Sequence, residues 1–211
     1  VITEHSTVGI VITTDGTITE LPREEYIVPE ERVIEELKSI GKPFVVLLNS
    51  TEPESEHAKE TARRIENEYK VKCICTSCLE LEEKEIGEIL LSVLEEFPLK
   101  SIGVMLPEWL FALPEENELK AQTYSNILAA AENAERIRDC EAVAGCIAQC
   151  ENISATKTEN KDLGSGAVCI SVQIPRSLYY QTISEQTGIE VKNDGDLIST
   201  LAEMSAIKTD Y

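Results

Sequence analysis

The stretch PFVVLLNSTEPESEHAKE, residues 43–60, decides the fold. From Phe44 to Leu48 it carries no polar side chain, it then turns through Asn49-Ser50-Thr51-Glu52, and it continues into a charged segment that begins at Pro53. Over 53–69 the apolar residues Ala58, Ala62, Ile65 and Tyr69 recur at helical spacing. A short, wholly apolar run reads as a strand covered on both faces, and a narrow apolar stripe reads as a helix lying on it.

The same unit recurs on either side. Before it, TVGIVITT (7–14) is β-branched and ends at Asp15-Gly16, and Pro29-Glu30-Glu31 opens a helix with Val33, Ile34, Leu37 and Ile40 inward, closed by Gly41 and Pro43. After it come a short strand, Val71–Cys75, and a helix over 82–96 with Ile86, Ile89, Leu90, Val93 and Leu94 as its inner face. Three such units predict an α/β domain over residues 1–98, a parallel sheet with right-handed crossovers.

Pro98 ends that alternation. The pattern predicts an extended segment over 100–113, one long Ala-rich helix over 114–139, and strands over 142–156 and 166–174 joined by a polar turn at Lys157–Asp162. A helix over 175–187 starts with Pro175 near its first position, and Asp194 is placed as the N-cap of a last helix over 195–206. Residues 99–211 therefore read as a second, smaller α+β domain.

Composition narrows function. Nineteen Lys and Arg against thirty-nine Asp and Glu give a formal net charge of −20, a field that repels nucleic-acid phosphates and anionic lipid. No apolar run approaches the roughly 20 residues of a spanning helix, and no segment has the build of a signal peptide, so the expected setting is cytoplasmic, without membrane insertion. The sequence opens on Val1, close to strand-like residues, which suggests a fragment. The seven cysteines are expected as reduced thiols.

None of the ten glycines sits in a GxxxxGK[ST] or GxGxxG context, so these residues carry no backbone cradle for a triphosphate. Cys73-x-Cys75-x-x-Cys78 has thiolate spacing but lacks a fourth ligand unless Cys140, Cys146 or Cys150 supplies it; small buried hydrophobes are the expectation. His5 and His57 stand apart with no Ser/His/Asp arrangement, and the paired glutamates sit near helix starts, where the macrodipole favours negative charge. What remains is one edge. Asp15, Asn49 and Thr76-Ser77 end three successive strands, and ligands of open parallel sheets bind outside the carboxyl ends of their strands. Ordinary helix caps account for the same residues.

Across EHSTVGIVITTDGTI (4–18), EERVIEELKSIGKPFVVLLNS (30–50), LEEFP (94–98) and LPEWL (106–110), the chain resembles the stage IV sporulation protein A family, with scattered matches at RIRD (136–139) and KTDY (208–211). The resemblance implies the C-terminal half of a P-loop NTPase sheet followed by a middle domain. It also implies a longer protein that hydrolyses ATP with Mg2+ and polymerises with itself at the mother-cell side of the forespore. A membrane-bound anchoring peptide and other coat proteins are the implied partners, and this chain by itself is expected to hold no nucleotide and to lack hydrolysis. A non-enzymatic scaffold is the alternative. Guanine-binding relatives carry Asn-Lys-x-Asp where this chain has Asn49, Ser50, Thr51 and Glu52, and Ser-Ala-Lys where it has Thr76, Ser77 and Cys78. Without the Lys stem that packs on the purine, and with the acid one methylene longer, ATP is the implied nucleotide. The fragment reading also leaves TVGIVITT as an open apolar edge, expected to be paired or covered.

Overall fold

The protein, described as a computed structural model, is defined over residues 6–209 and divides into two units, Val1–Pro98 with Arg136–Arg138, and Leu99–Glu135 with Asp139–Tyr211.

In the first unit β1 (Gly9–Thr14), β2 (Phe44–Asn49) and β3 (Cys73–Thr76) form a parallel sheet in the order β1-β2-β3, with Thr14 opposite Asn49 and Asn49 opposite Thr76. The helices are α1 (Glu24–Ile40), α2 (Glu56–Tyr69) and α3 (Glu83–Glu95). β2 is buried from Phe44 to Leu48, as its unbroken apolar run requires. One face of the sheet, with Val11, Phe44, Val46 and Leu48, packs against Ile34 and Leu37 of α1 and the Ala62, Ile65 and Tyr69 stripe of α2; the other, with Val45 and Leu47, packs against Ile89 and Val93 of α3.

Three expectations change. α1 begins at Glu24, five residues before Pro29, which lies exposed inside the helix, so the carbonyl it leaves unpaired can meet water. Of the inner face expected for α3, Ile89 and Val93 are buried, whereas Ile86 and Leu90 are half exposed. β1 has no strand on its outer side among the described residues, and Ile12 is 63% exposed. The expected cover over 7–14 is met only at Val8, which packs with Ile89 and Val93 of α3; among the described residues nothing covers Ile10 and Ile12.

The three residues Arg136–Arg138 belong to this unit through main-chain bonds. Ile137 N donates to Phe97 O at 3.1 Å and Arg138 N to Glu95 O at 3.0 Å. Ile137 is fully buried, and both arginines pair with the buried carboxylate of Glu96.

The second unit holds β4 (Ser101–Met105), β5 (Ala155–Asp162) and β6 (Ala167–Gln173) in the order β4-β6-β5, with β4 parallel and β5 antiparallel to β6. Its helices are α4 (Glu108–Phe111), α5 (Glu118–Ala131), α6 (Asp139–Ala148), α7 (Arg176–Thr187) and α8 (Asp194–Thr209). The long helix expected over 114–139 is interrupted after Ala131, because the segment around Arg136 runs extended beside Phe97. The strand expected from 142 is α6 up to Ala148: Cys140, Val143, Ala144 and Ile147 make a buried helical face against β5 and β6. The polar Lys157–Asp162 segment is strand, not turn; as an edge strand β5 tolerates exposed charges, which also discourage further pairing. The last helix is capped by Asn193, whose Oδ1 accepts from Asp196 N at 3.0 Å, one residue before the Asp194 expected in that role.

Candidate functional site

The parallel register brings the ends of all three strands to one edge, where side chains and backbone of the following loops are stitched together. Asn49, the last residue of β2, turns Oδ1 toward the β3 loop and accepts from Cys78 N at 2.9 Å. Ser50 N donates to Thr76 O at 3.0 Å, which prolongs the ladder by one bond. On the other side Thr17 Oγ1 donates to Asp15 Oδ1 at 2.6 Å and accepts from Thr51 N at 3.0 Å.

Each expected residue has a distinct place. Ser50 has no exposed surface, and its Oγ accepts from Glu52 N at 3.0 Å, so the hydroxyl that stands where the relatives have a Lys stem is folded into its own turn. Glu52 is exposed, and its main-chain carbonyl accepts from the N–H of Ser55, the side-chain N-cap of α2. Thr76 is buried, with its hydroxyl unpaired, and Ser77 is half-buried. Asn49 and Ser77 therefore line the accessible rim, Glu52 stands outside it, and Ser50 and Thr76 form its floor.

Asp15 is the charged group at the centre, only 4% exposed. Burial by itself pushes its carboxyl up, yet the neighbouring hydroxyls of Ser50 and Thr17, the Thr17 N–H and the charge of His57 outweigh it and hold the carboxyl below its ordinary value. Asp15 Oδ1 takes the two bonds from Thr17, while Oδ2 is buried with no partner of its own. His57 Nε2 lies 3.4 Å from the Asp15 main-chain oxygen. Its sequence position, the second residue of α2, gives no sign of that contact.

The cysteines pack. Cys73 and Cys75 join the core on the α2 face, and burial pushes the Cys73 thiol far up, out of reach of thiolate chemistry at neutral pH. Among the described residues no three His, Cys, Asp or Glu side chains converge as metal ligands. His5 lies outside the described residues.

A buried ion pair flanks the site and has no sequence signal. Arg23 donates to Thr13 Oγ1 at 3.0 Å and to Glu30 Oε1 at 2.7 Å. The residues lie seven apart, two helical turns, with Arg23 just ahead of α1.

The arrangement is a preformed polar rim at the carboxyl edge of a parallel sheet, the edge at which ligands of such sheets bind. Among the described residues no glycine-rich loop stands at this edge.

Residues 1–98 match the family model for the stage IV sporulation protein A ATPase domain, and residues 99–211 match the model for its middle domain. Stage IV sporulation protein A of Clostridioides difficile (strain 630) is 35% identical over all 211 residues, which cover 43% of that relative. The Bacillus anthracis protein of that name is likewise 35% identical, and that of Bacillus subtilis (strain 168) 34%, over the same shares. The chain thus spans less than half the length of the curated relatives it matches. No solved structure matches it. With its two halves each matched by one of that family's models, the chain belongs to the stage IV sporulation protein A family.

Proposed function

We propose that these residues act within a longer sporulation ATPase whose hydrolysis of ATP drives its self-assembly into the basement layer of the spore coat, on the mother-cell side of the forespore. The observation that carries this reading is the braced carboxyl edge in a domain matched as an ATPase: Asn49 tied to Cys78, and Thr17 bridging Asp15 to Thr51. Asn49 and Ser77 face the base, while Ser50 and Thr76 shape the floor beneath it. Glu52 completes the turn with its side chain exposed, and the Lys stem that packs on the purine in guanine-binding relatives is replaced by the buried Ser50. ATP is therefore the nucleotide, with Mg2+ at its phosphates, and the groups that hold both lie outside these residues.

The partners are further copies of the protein, a membrane-bound anchoring peptide and other coat proteins. No helix among the described residues is long and apolar enough to cross a membrane.

Calorimetric titration tests the reading. ATP should bind the protein at its full natural length and not this chain alone, and Asn49→Ala should weaken that binding about tenfold. Tight ATP binding or turnover by the 211-residue chain overturns it.

A scaffold without catalysis is the second reading, favoured by the apolar groove between Trp109 and Tyr179 and by the exposed Ile198 and Leu201 of α8. Polymerisation by residues 99–211 alone distinguishes it.

A further inference from the structure

The second unit carries an apolar groove and an apolar helix face, each without a match inside the unit. The groove, of about 470 Å³, lies between the α4 turn and α7, with Trp109, Leu113 and Pro114 on one wall and Tyr179 and Ile183 on the other. No Asp, Glu, Lys or Arg lines it. The helix face is on α8. Ile198, Leu201 and Met204 are 68%, 57% and 45% exposed, and their spacing of three residues makes them neighbours along one side. From Leu201 to Ala206 every residue is exposed.

That second half of α8 lacks the packing that holds most helices of its length, which are marginal in water by themselves. Clustered exposed apolar side chains mark interaction surfaces. Charge identifies the occupant. A formal net charge of −20 makes two copies repel each other, so copies can meet closely only where charge is sparse. The groove on α2, lined by Glu60, Arg63 and Arg64, does not qualify. The Trp109 groove has no charge, and residues 197–206 carry one, Glu203. The acidic start of α8 lies at its far end, where Asp194 pairs with Arg176 and accepts from the Tyr180 hydroxyl at 2.5 Å. One unit thus presents both a protruding apolar face and an uncharged recess to receive it.

We propose that the Ile198, Leu201 and Met204 face of one copy docks into the Trp109 and Tyr179 groove of the next. This rests on the self-assembly reading above and adds the surface through which copies meet. No residue of α8 lines the groove, so the contact joins two different patches, and every copy added leaves one of each open. A head-to-tail contact of this kind grows into an open chain unless its rotation closes a ring.

Sedimentation velocity of the 211-residue chain without nucleotide, read together with the emission of Trp109, tests it. As concentration rises, species larger than a dimer should form, and the emission should move to shorter wavelength as Trp109 is covered. A chain that is still monomeric at about 1 mM, or that stops at a dimer, overturns the proposal. Leu201→Glu and Ala112→Glu change exposed residues, one on each patch, and leave the fold intact; each should weaken association at least about tenfold. Mixed together, the two variants should form a heterodimer and nothing larger, because one intact pair of patches remains. Association unchanged in either variant, or no heterodimer in the mixture, overturns the proposal. In the protein at its full natural length, Leu201→Glu should reduce ATP-driven assembly; assembly at the wild-type level overturns this contact and leaves the self-assembly reading standing. Failure of the wild type to assemble would instead sink that reading, and the nucleotide-free sedimentation still decides the contact.

Discussion

The Asn49 side-chain oxygen and the Cys78 main-chain N–H lie 2.9 Å apart, so the residue that ends β2 fixes the loop that follows β3. One short polar side chain thereby sets the spacing of two loops that any ligand at this edge has to meet together.

Asn49→Ala should remove that brace and destabilise the chain by about 1 kcal/mol, the typical worth of a hydrogen bond whose remaining donor can partly reach water. Asn49→Asp, which keeps an acceptor, should cost less. Urea unfolding midpoints of the two variants check the order.

Removing one member of the Arg23 and Glu30 pair should cost far more than removing both. Glu30→Ala strands a guanidinium that is 9% exposed, for about 3 kcal/mol, whereas Arg23→Met with Glu30→Leu should recover most of the loss. Denaturant unfolding of the single and double variants decides it.

Glu96 should show an asymmetry. Its carboxylate is almost fully buried, while Arg136 and Arg138 are each about one-third exposed. Taking away both arginines leaves a buried anion and should cost about 3 kcal/mol; taking away the carboxylate in Glu96→Ala frees two cations that can turn to water and should cost less. Thermal unfolding of Arg136→Ala/Arg138→Ala against Glu96→Ala compares them.

Asp15 links stability to acid. Its carboxyl is held below the ordinary value of about 3.9, so its contribution is present above that pH and is lost as pH falls through the lower folded-state value. The stability gap between the wild type and Asp15→Asn should therefore be full at pH 6 and close below about pH 4. Unfolding midpoints between pH 2 and 6 show whether the gap closes on the acid side; a gap that widens there contradicts the assignment.

Trp109 is the sole tryptophan, so its fluorescence reports on the second unit alone. Its ring lies 5.4 Å from that of Tyr179, inclined at 54°. Tyr179→Ala should shift the emission to longer wavelength and cost about 1 kcal/mol.

The βα units were legible because their signals are local and mutually consistent. Phe44–Leu48 can only be a covered strand, and Ala58, Ala62, Ile65 and Tyr69 trace one helical face. The carboxyl edge holding Asp15, Asn49 and Thr76 followed from strand order alone. The second half was misread where local signals conflict: Val143 to Ile147 fits a strand or a helix by composition, and Lys157–Asp162 looks like a turn until an apolar neighbour, β6, gives it something to pair with.

Sequence by itself determined the parallel three-strand unit, the absence of a phosphate cradle within these residues, and the polar character of the edge, because each depends on residue type and spacing along one element. Tertiary structure alone decided that Ser50 is folded inward, that Arg23 finds Glu30, and that residues 136–138 return to Glu96 across 40 residues of chain. These are matters of which buried polar groups find partners, and partnership is settled by where separate elements come to lie, which no periodicity encodes. The bare edge of β1 belongs to both: its apolar strand is written in the sequence, whereas the partnerless Glu30 Oε2 and Arg23 Nε appear only once the helix is in place.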